Sequence, residues 1–274
     1  MRYYKIDINT NENFKPPYFT GSMFRGAMGY ALKKVICINP TYKCDGCFAQ
    51  SSCLFYHFYE AQNILHHYRF DIELDSNRFD FGLYLFGSAC DDLPYILSAL
   101  DILLTKQGLT KNNYTFKEAS IFVNSMEVYR DGEFNSIDIA TKTLELDSFS
   151  PDIKIKLQTP LRMKKKNKLL KESIEIEDIL RSIYQREQEI FYNKKVFKLE
   201  YKPSYTTTAT ALNYKSIIRQ SNKQQTKMNM DGLLGEIVIL GIDKDSYRLL
   251  KLGEIIGVGK QTVMGLGRIE IEDL

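Results

Sequence analysis

The chain has 274 residues, 44% hydrophobic and 12% aromatic, enough for one large core or two of ordinary size. Its 16 Phe and 18 Tyr against 26% charged residues exclude an aromatic-poor disordered polymer. The net charge of +3 decides nothing about nucleic acid, no apolar run approaches the roughly 20 residues that span a bilayer, and the polar start offers no signal or transit segment, so the expected location is the cytoplasm.

In residues 4–8, Tyr4, Ile6 and Ile8 alternate with Lys5 and Asp7, the pattern of a half-buried strand. Pro16 and Pro17 end the extended segment. Ser22 is the expected N-cap of a helix that carries Met23, Phe24, Ala27, Met28, Ala31, Leu32 and Val35 on one face. Residues 69–74 and 79–86 predict a hairpin, with Phe79, Phe81, Leu83 and Leu85 of its second arm turned to one side. Leu93, Ile96, Leu97, Leu100, Leu103 and Leu104 then recur at helical spacing, and residues 114–129 return to strand chemistry. This β-α-β-β-α-β order is the ferredoxin-like split unit, an architecture used by many RNA-binding domains.

A Ser, Pro and Asp cluster at Ser150 and Pro151 breaks the pattern, giving expected domains 1–150 and 151–274. A second, less regular copy follows: a strand over 153–157, a helix marked by Ile176, Ile179, Leu180, Ile183 and Ile190, strands over 197–201 and 233–240, a helix at Leu249, Leu252, Ile255 and Ile256, and a last strand at Ile269 and Ile271. The expected class is α+β, two tandem ferredoxin-like domains.

Three local patterns carry chemistry. Basic residues collect at Arg162, Lys164, Lys165, Lys166, Lys168 and Lys171, and again at Lys215, Arg219, Lys223 and Lys227. Such clusters supply phosphate contacts or are simply solvated charge. Near the C-terminus, Gly257-Val258-Gly259 and Gly265-Leu266-Gly267 frame five residues that begin with Lys260. Glycines so placed permit positive φ and let backbone N–H groups approach phosphate; the alternative is a tight connection with no ligand. The spacing is neither a Walker loop nor a dinucleotide fingerprint.

The third pattern is Cys37-x6-Cys44-x2-Cys47-x5-Cys53. In a reducing cytoplasm these thiols are expected as ligands rather than disulfides, holding a structural zinc ion before an iron-sulfur cluster, with four reduced thiols and no metal as the alternative. Cys90 reads as a small buried hydrophobe.

The segment 249–254 running into Gly257-Val258-Gly259-Lys260 and Met264-Gly265-Leu266-Gly267 resembles the signature of the CRISPR-associated repeat-processing endoribonucleases of the RAMP superfamily. Phe24-Arg25-Gly26-Ala27-Met28-Gly29-Tyr30-Ala31-Leu32, Leu85-Phe86-Gly87 with Leu93-Pro94-Tyr95, and Thr159-Pro160-Leu161-Arg162 are similar to family segments in the same order, as are residues 216–220 and 228–235. The resemblance implies two ferredoxin-like domains and cleavage of CRISPR precursor RNA within repeats. It further implies attack by the 2′-hydroxyl to give a 2′,3′-cyclic phosphate and a 5′-hydroxyl, with no cofactor or catalytic metal. It also implies a general base, often His, from the N-terminal domain. The only histidines are His57, His66 and His67; His57 ranks first because it closely follows the cysteines, with Lys260 and Tyr30 in reserve. Gly257, Gly259, Lys260, Gly265, Gly267, Arg162, Arg219, Lys223 and Lys227 are the expected RNA contacts. Two readings compete with this one: a non-catalytic RAMP subunit holding guide RNA in an effector complex, and a redox or metal-sensing domain centred on the cysteines.

Overall fold

The computed structural model describes residues 1–11, 15–110, 112–146, 148–220 and 227–274, with residues 207, 208, 219, 220, 227 and 228 described by their backbone alone. The chain forms two compact units, Met1–Thr143 and Leu144–Leu274, dividing a few residues before the break at Ser150 and Pro151.

The first unit runs β1 (Tyr3–Thr10), α1 (Gly21–Ile36), β2 (Tyr68–Asp71), β3 (Phe81–Phe86), α2 (Leu93–Ile102), β4 (Ala119–Val123), β5 (Met126–Arg130) and β6 (Glu133–Phe134). Its antiparallel sheet has the order β2-β3-β1-β4-β5-β6, so β1 lies between β3 and β4 as the ferredoxin-like unit requires. The alternation in β1 places Tyr4, Ile6 and Ile8 in the core, against Phe24, Met28 and Leu32 of α1 on the buried side.

Three expectations are corrected here. Helix α1 starts at Gly21, and the N–H groups of Met23 and Phe24 donate to the Thr20 carbonyl at 2.8 and 3.0 Å, so Thr20 occupies the cap position and Ser22 lies inside the first turn. Strand β3 is buried on both faces, not one. Its outer face is covered because Arg69, 1% exposed, pairs with Asp71 at 2.8 Å and lies over the Tyr84 ring at 4.3 Å. Residues 114–129 are not one strand: Asn124 and Ser125 hold φ of +51° and +72°, the left-handed pair of a tight hairpin turn between β4 and β5.

The second unit runs β7 (Ile153–Leu161), β8 (Lys164–Lys165), β9 (Lys168–Leu169), α3 (Ile176–Tyr192), β10 (Thr206–Lys215), β11 (Ile218–Gln220), β12 (Lys227–Asn229), β13 (Gly232–Leu240), α4 (Lys244–Ile256) and β14 (Ile269–Asp273). The main sheet, β10-β13-β7-β14, repeats the ferredoxin-like order, with two small hairpins beside it, β8-β9 and β11-β12. Ile153 and Ile155 of β7 and Ile237 and Ile239 of β13 share a core with Ile179 and Ile183 of α3 and Leu249 and Leu252 of α4. The strand expected at 197–201 is absent; Phe197 there is 79% exposed. Its place in the sheet is taken by β10, whose Thr and Ala residues pair with β13 from Thr206↔Leu240 to Lys215↔Gly232. No helix among the described residues is long and apolar enough to cross a membrane.

Candidate functional site

In the first unit, α1 ends at Cys37, where the chain enters a run of turns that closes only at Leu54. Cys37, Cys44, Cys47 and Cys53 all line one cavity of about 340 Å³. As they stand, no three His, Cys, Asp or Glu side chains among the described residues are grouped to hold a metal ion. Burial pushes the Cys44 thiol above its ordinary range, opposed by the ammonium of Lys33 beside it. Cys90 is buried, its Sγ 3.5 Å from the Leu85 carbonyl, and burial pushes its thiol up to about 11.

A π-helical turn, Tyr56–Glu60, follows the cysteines and carries His57. Such turns recur at functional sites because the wide ring displaces a side chain from the regular helical face. The His57 N–H donates to the Cys53 carbonyl at 3.1 Å, and its Nε2 lies 2.9 Å from the Ser51 carbonyl. A carbonyl only accepts, so Nε2 carries a proton and Nδ1 is the basic nitrogen of the neutral ring. His66 approaches the same turn, its Nδ1 2.9 Å from the His57 carbonyl, which by the same argument makes Nε2 its basic nitrogen. His67 is directed elsewhere, with Nδ1 3.3 Å from Ser88 Oγ. The His66 ring is therefore tied to the backbone of the turn that carries His57, while the His67 ring meets Ser88. Tyr30 stands on α1, 73% exposed.

Below this turn, Arg25 lies over the Tyr59 ring at 4.7 Å and donates to the Phe58 carbonyl at 3.3 Å. Tyr59 and Tyr68 are held protonated, the first well above its ordinary range and the second above it, chiefly by burial. Neither phenol is a base near neutral pH. The sequence signal that could have drawn attention to them is Arg25 in the first-helix motif.

In the second unit, Gly257, Gly259, Gly265 and Gly267 hold φ of +74°, +76°, +78° and +70°. The amides have partners inside the fold. Val258 N–H donates to the Gly267 carbonyl at 2.9 Å, Lys260 N–H to the Arg162 carbonyl at 2.9 Å, Gly267 N–H to the Pro160 carbonyl at 3.1 Å, and Gly259 N–H to Ser182 Oγ at 3.0 Å. Gly257, Met264 and Gly265 also donate to backbone carbonyls. The expected cradle of glycine amides facing a phosphate is therefore not what these groups form. Their donors lock the loop to the end of β7 and to α3. The glycines leave room for that contact: a Cβ at Gly259 would sit 2.6 Å from the Arg162 carbonyl oxygen, and one at Gly267 1.8 Å from that of Val258.

What the loop offers outward is the exposed side chain of Lys260, pinned beside the root of the β8-β9 hairpin. That hairpin turns through Lys166 and Asn167 at positive φ and exposes Lys164, Lys166 and Lys168. Lys165 is engaged by Glu175 at 2.6 Å and Asp178 at 3.3 Å, and Lys171 Nζ lies 5.5 Å from the centre of the Tyr214 ring. Arg162 turns inward and donates to the Asp231 carbonyl at 3.0 Å. The Asp231 carboxylate, itself buried, accepts from Tyr214, Ser216 Oγ and the Ile217 N–H, a network the sequence did not announce. Lys223 and the side chains of Arg219 and Lys227 lie outside the described residues.

Two family models match the chain. One, AF_1859_N, described as an N-terminal domain, covers residues 1–141; the other, CRISPR-associated endoribonuclease Cas6, covers residues 155–269. An uncharacterised protein of Archaeoglobus fulgidus is 26% identical over 279 residues, spanning 93% of this chain and 92% of that protein. Among solved structures, a Cas6 product complex superposes with a TM-score of 0.58 at 13% identity, over 99% of this chain and 98% of that one. Thermus thermophilus Cas6 gives 0.55 at 14% identity, over 99% and 98%. At these identities the likeness is one of fold.

Proposed function

We propose that the chain, whose residues 155–269 match the CRISPR-associated endoribonuclease Cas6 model, is an enzyme of that family and cleaves CRISPR precursor RNA within the repeats, in the cytoplasm, without a catalytic metal. The observation that carries the reading is the match of residues 155–269 to the Cas6 endoribonuclease model. In the reaction the 2′-oxygen bonds to the adjacent phosphorus as the bond from phosphorus to the 5′-oxygen breaks. A base takes the 2′-hydroxyl proton and an acid returns one to the leaving oxygen, giving a 2′,3′-cyclic phosphate and a 5′-hydroxyl.

We assign the base to Nδ1 of His57, since the Ser51 carbonyl fixes the proton on Nε2. His66, hydrogen-bonded to the His57 carbonyl, is the nearest second candidate for proton transfer. Lys260 with Lys164, Lys166 and Lys168 supplies cations for the RNA backbone in the second unit, a contact that is electrostatic and sequence-independent.

Labelled repeat RNA incubated with the purified protein in excess chelator tests this. Cleavage at one site with a cyclic phosphate upstream is expected. A requirement for added magnesium sinks the mechanism, and binding without cleavage under all conditions turns the chain into a guide-holding subunit.

A further inference from the structure

We propose that Cys37, Cys44, Cys47 and Cys53 close on one divalent metal ion, zinc by the softness of four thiolate donors, and that this ion orders the segment between α1 and His57. From residue 37 to residue 54 no side chain is buried, and Ile38 and Phe48 are 69% and 78% exposed. A stretch of 18 residues with no fully buried side chain has only half-buried apolar surface, such as that of Ala49 and Leu54, to offset its conformational entropy, which is the situation in which small folds use a metal or a cross-link.

The four thiols nonetheless share one cavity of about 340 Å³, ample for a tetrahedral ion with metal–sulfur bonds of about 2.3 Å. Within the Cys44-Asp45-Gly46-Cys47 turn, the Cys47 N–H donates to the Cys44 carbonyl at 3.2 Å and Gly46 holds φ of +66°, so this pair already has a closed knuckle. The thiols are not grouped as they stand, so binding requires their rotamers to turn inward. The ion displaces up to four thiol protons and leaves a tetrathiolate site of charge −2. Lys43 on the cavity wall and Lys33, whose Nζ also lies 4.8 Å from the centre of the Phe55 ring, offset that charge.

The ion also fixes the carbonyls on which His57 leans, because Ser51 and Cys53 belong to the metal loop. This second consequence rests on the assignment of His57 above, whereas the site itself does not.

The reduced wild-type chain, purified and reconstituted with zinc, cobalt(II) or cadmium, is expected to bind about one ion per chain. The cobalt form should show thiolate charge-transfer absorption, and the bound ion should protect the four thiols from alkylation. C44S and C47S should lose the ion. Failure of the wild-type chain to bind any of the three ions stoichiometrically, a cobalt spectrum without thiolate bands, or iron with a visible absorption band overturns the assignment. Metal-free protein that cleaves slowly and regains its rate with zinc but not magnesium supports the coupling to His57. Unchanged cleavage by metal-free protein overturns that coupling, and rescue by magnesium alone counts against the mechanism rather than the site.

Discussion

The glycine loop gives the sharpest test of what its residues do. In Gly267→Ala, the new methyl group would sit 1.8 Å from the Val258 carbonyl oxygen and 2.9 Å from its carbon, on a backbone at φ +70°. The left-handed conformation costs an L-residue about 1–2 kcal/mol, and forcing atoms into packed structure costs about 1–3 more. The hydrogen bond from the Val258 N–H to the Gly267 carbonyl at 2.9 Å cannot survive the shift intact. A total of roughly 2–5 kcal/mol, at about 4 °C per kcal/mol for a domain of this size, lowers the melting transition of the second unit by roughly 8–20 °C. Thermal denaturation followed by circular dichroism measures it. Lys260→Ala is the contrast: its side chain is exposed, so melting should hold while repeat affinity falls and the salt dependence loses a slope of about 0.7. If Gly267→Ala melts with the parent chain yet binds RNA poorly, the loop amides serve the ligand and the argument from internal hydrogen bonds is wrong.

His57→Ala should slow repeat cleavage by roughly 10²–10⁴-fold with RNA affinity nearly intact; a wild-type single-turnover rate would transfer the role to His66. Asp231→Ala leaves donors of Tyr214, Ser216 and Ile217 without their carboxylate inside the fold, a loss of about 1–3 kcal/mol that urea denaturation resolves and that an unchanged midpoint would contradict. Burial pushes the phenols of Tyr184 and Tyr247 up to about 12, aided by Glu200 and Asp273. The unfolded phenols ionise near 10, so this stability is complete below that value and is lost as pH rises through 10 toward 12. Urea midpoints falling across that window, less steeply in Tyr247→Phe, are expected; a flat profile would refute the assignment.

What was legible in the sequence follows how local its cause is. Tyr4, Ile6 and Ile8 declare β1 because one face meets a core and the other meets water, a contrast written within five residues. Strand β10 was not legible, since its register is imposed by β13 across nine paired positions and its Thr and Ala residues carry little apolar signal of their own. The position of the glycine loop could be read from spacing, but its role could not. A glycine shows that a side chain is missing and says nothing of what fills the space, which here is the carbonyl of Arg162, nearly a hundred residues earlier in the chain. The cysteines present the opposite case. Thiol type and spacing name a candidate chemistry before any geometry is known, and the structure adds the observation on which the proposed ion rests: a loop from 37 to 54 with no buried side chain, whose Ser51 carbonyl meets the ring of the histidine that follows it.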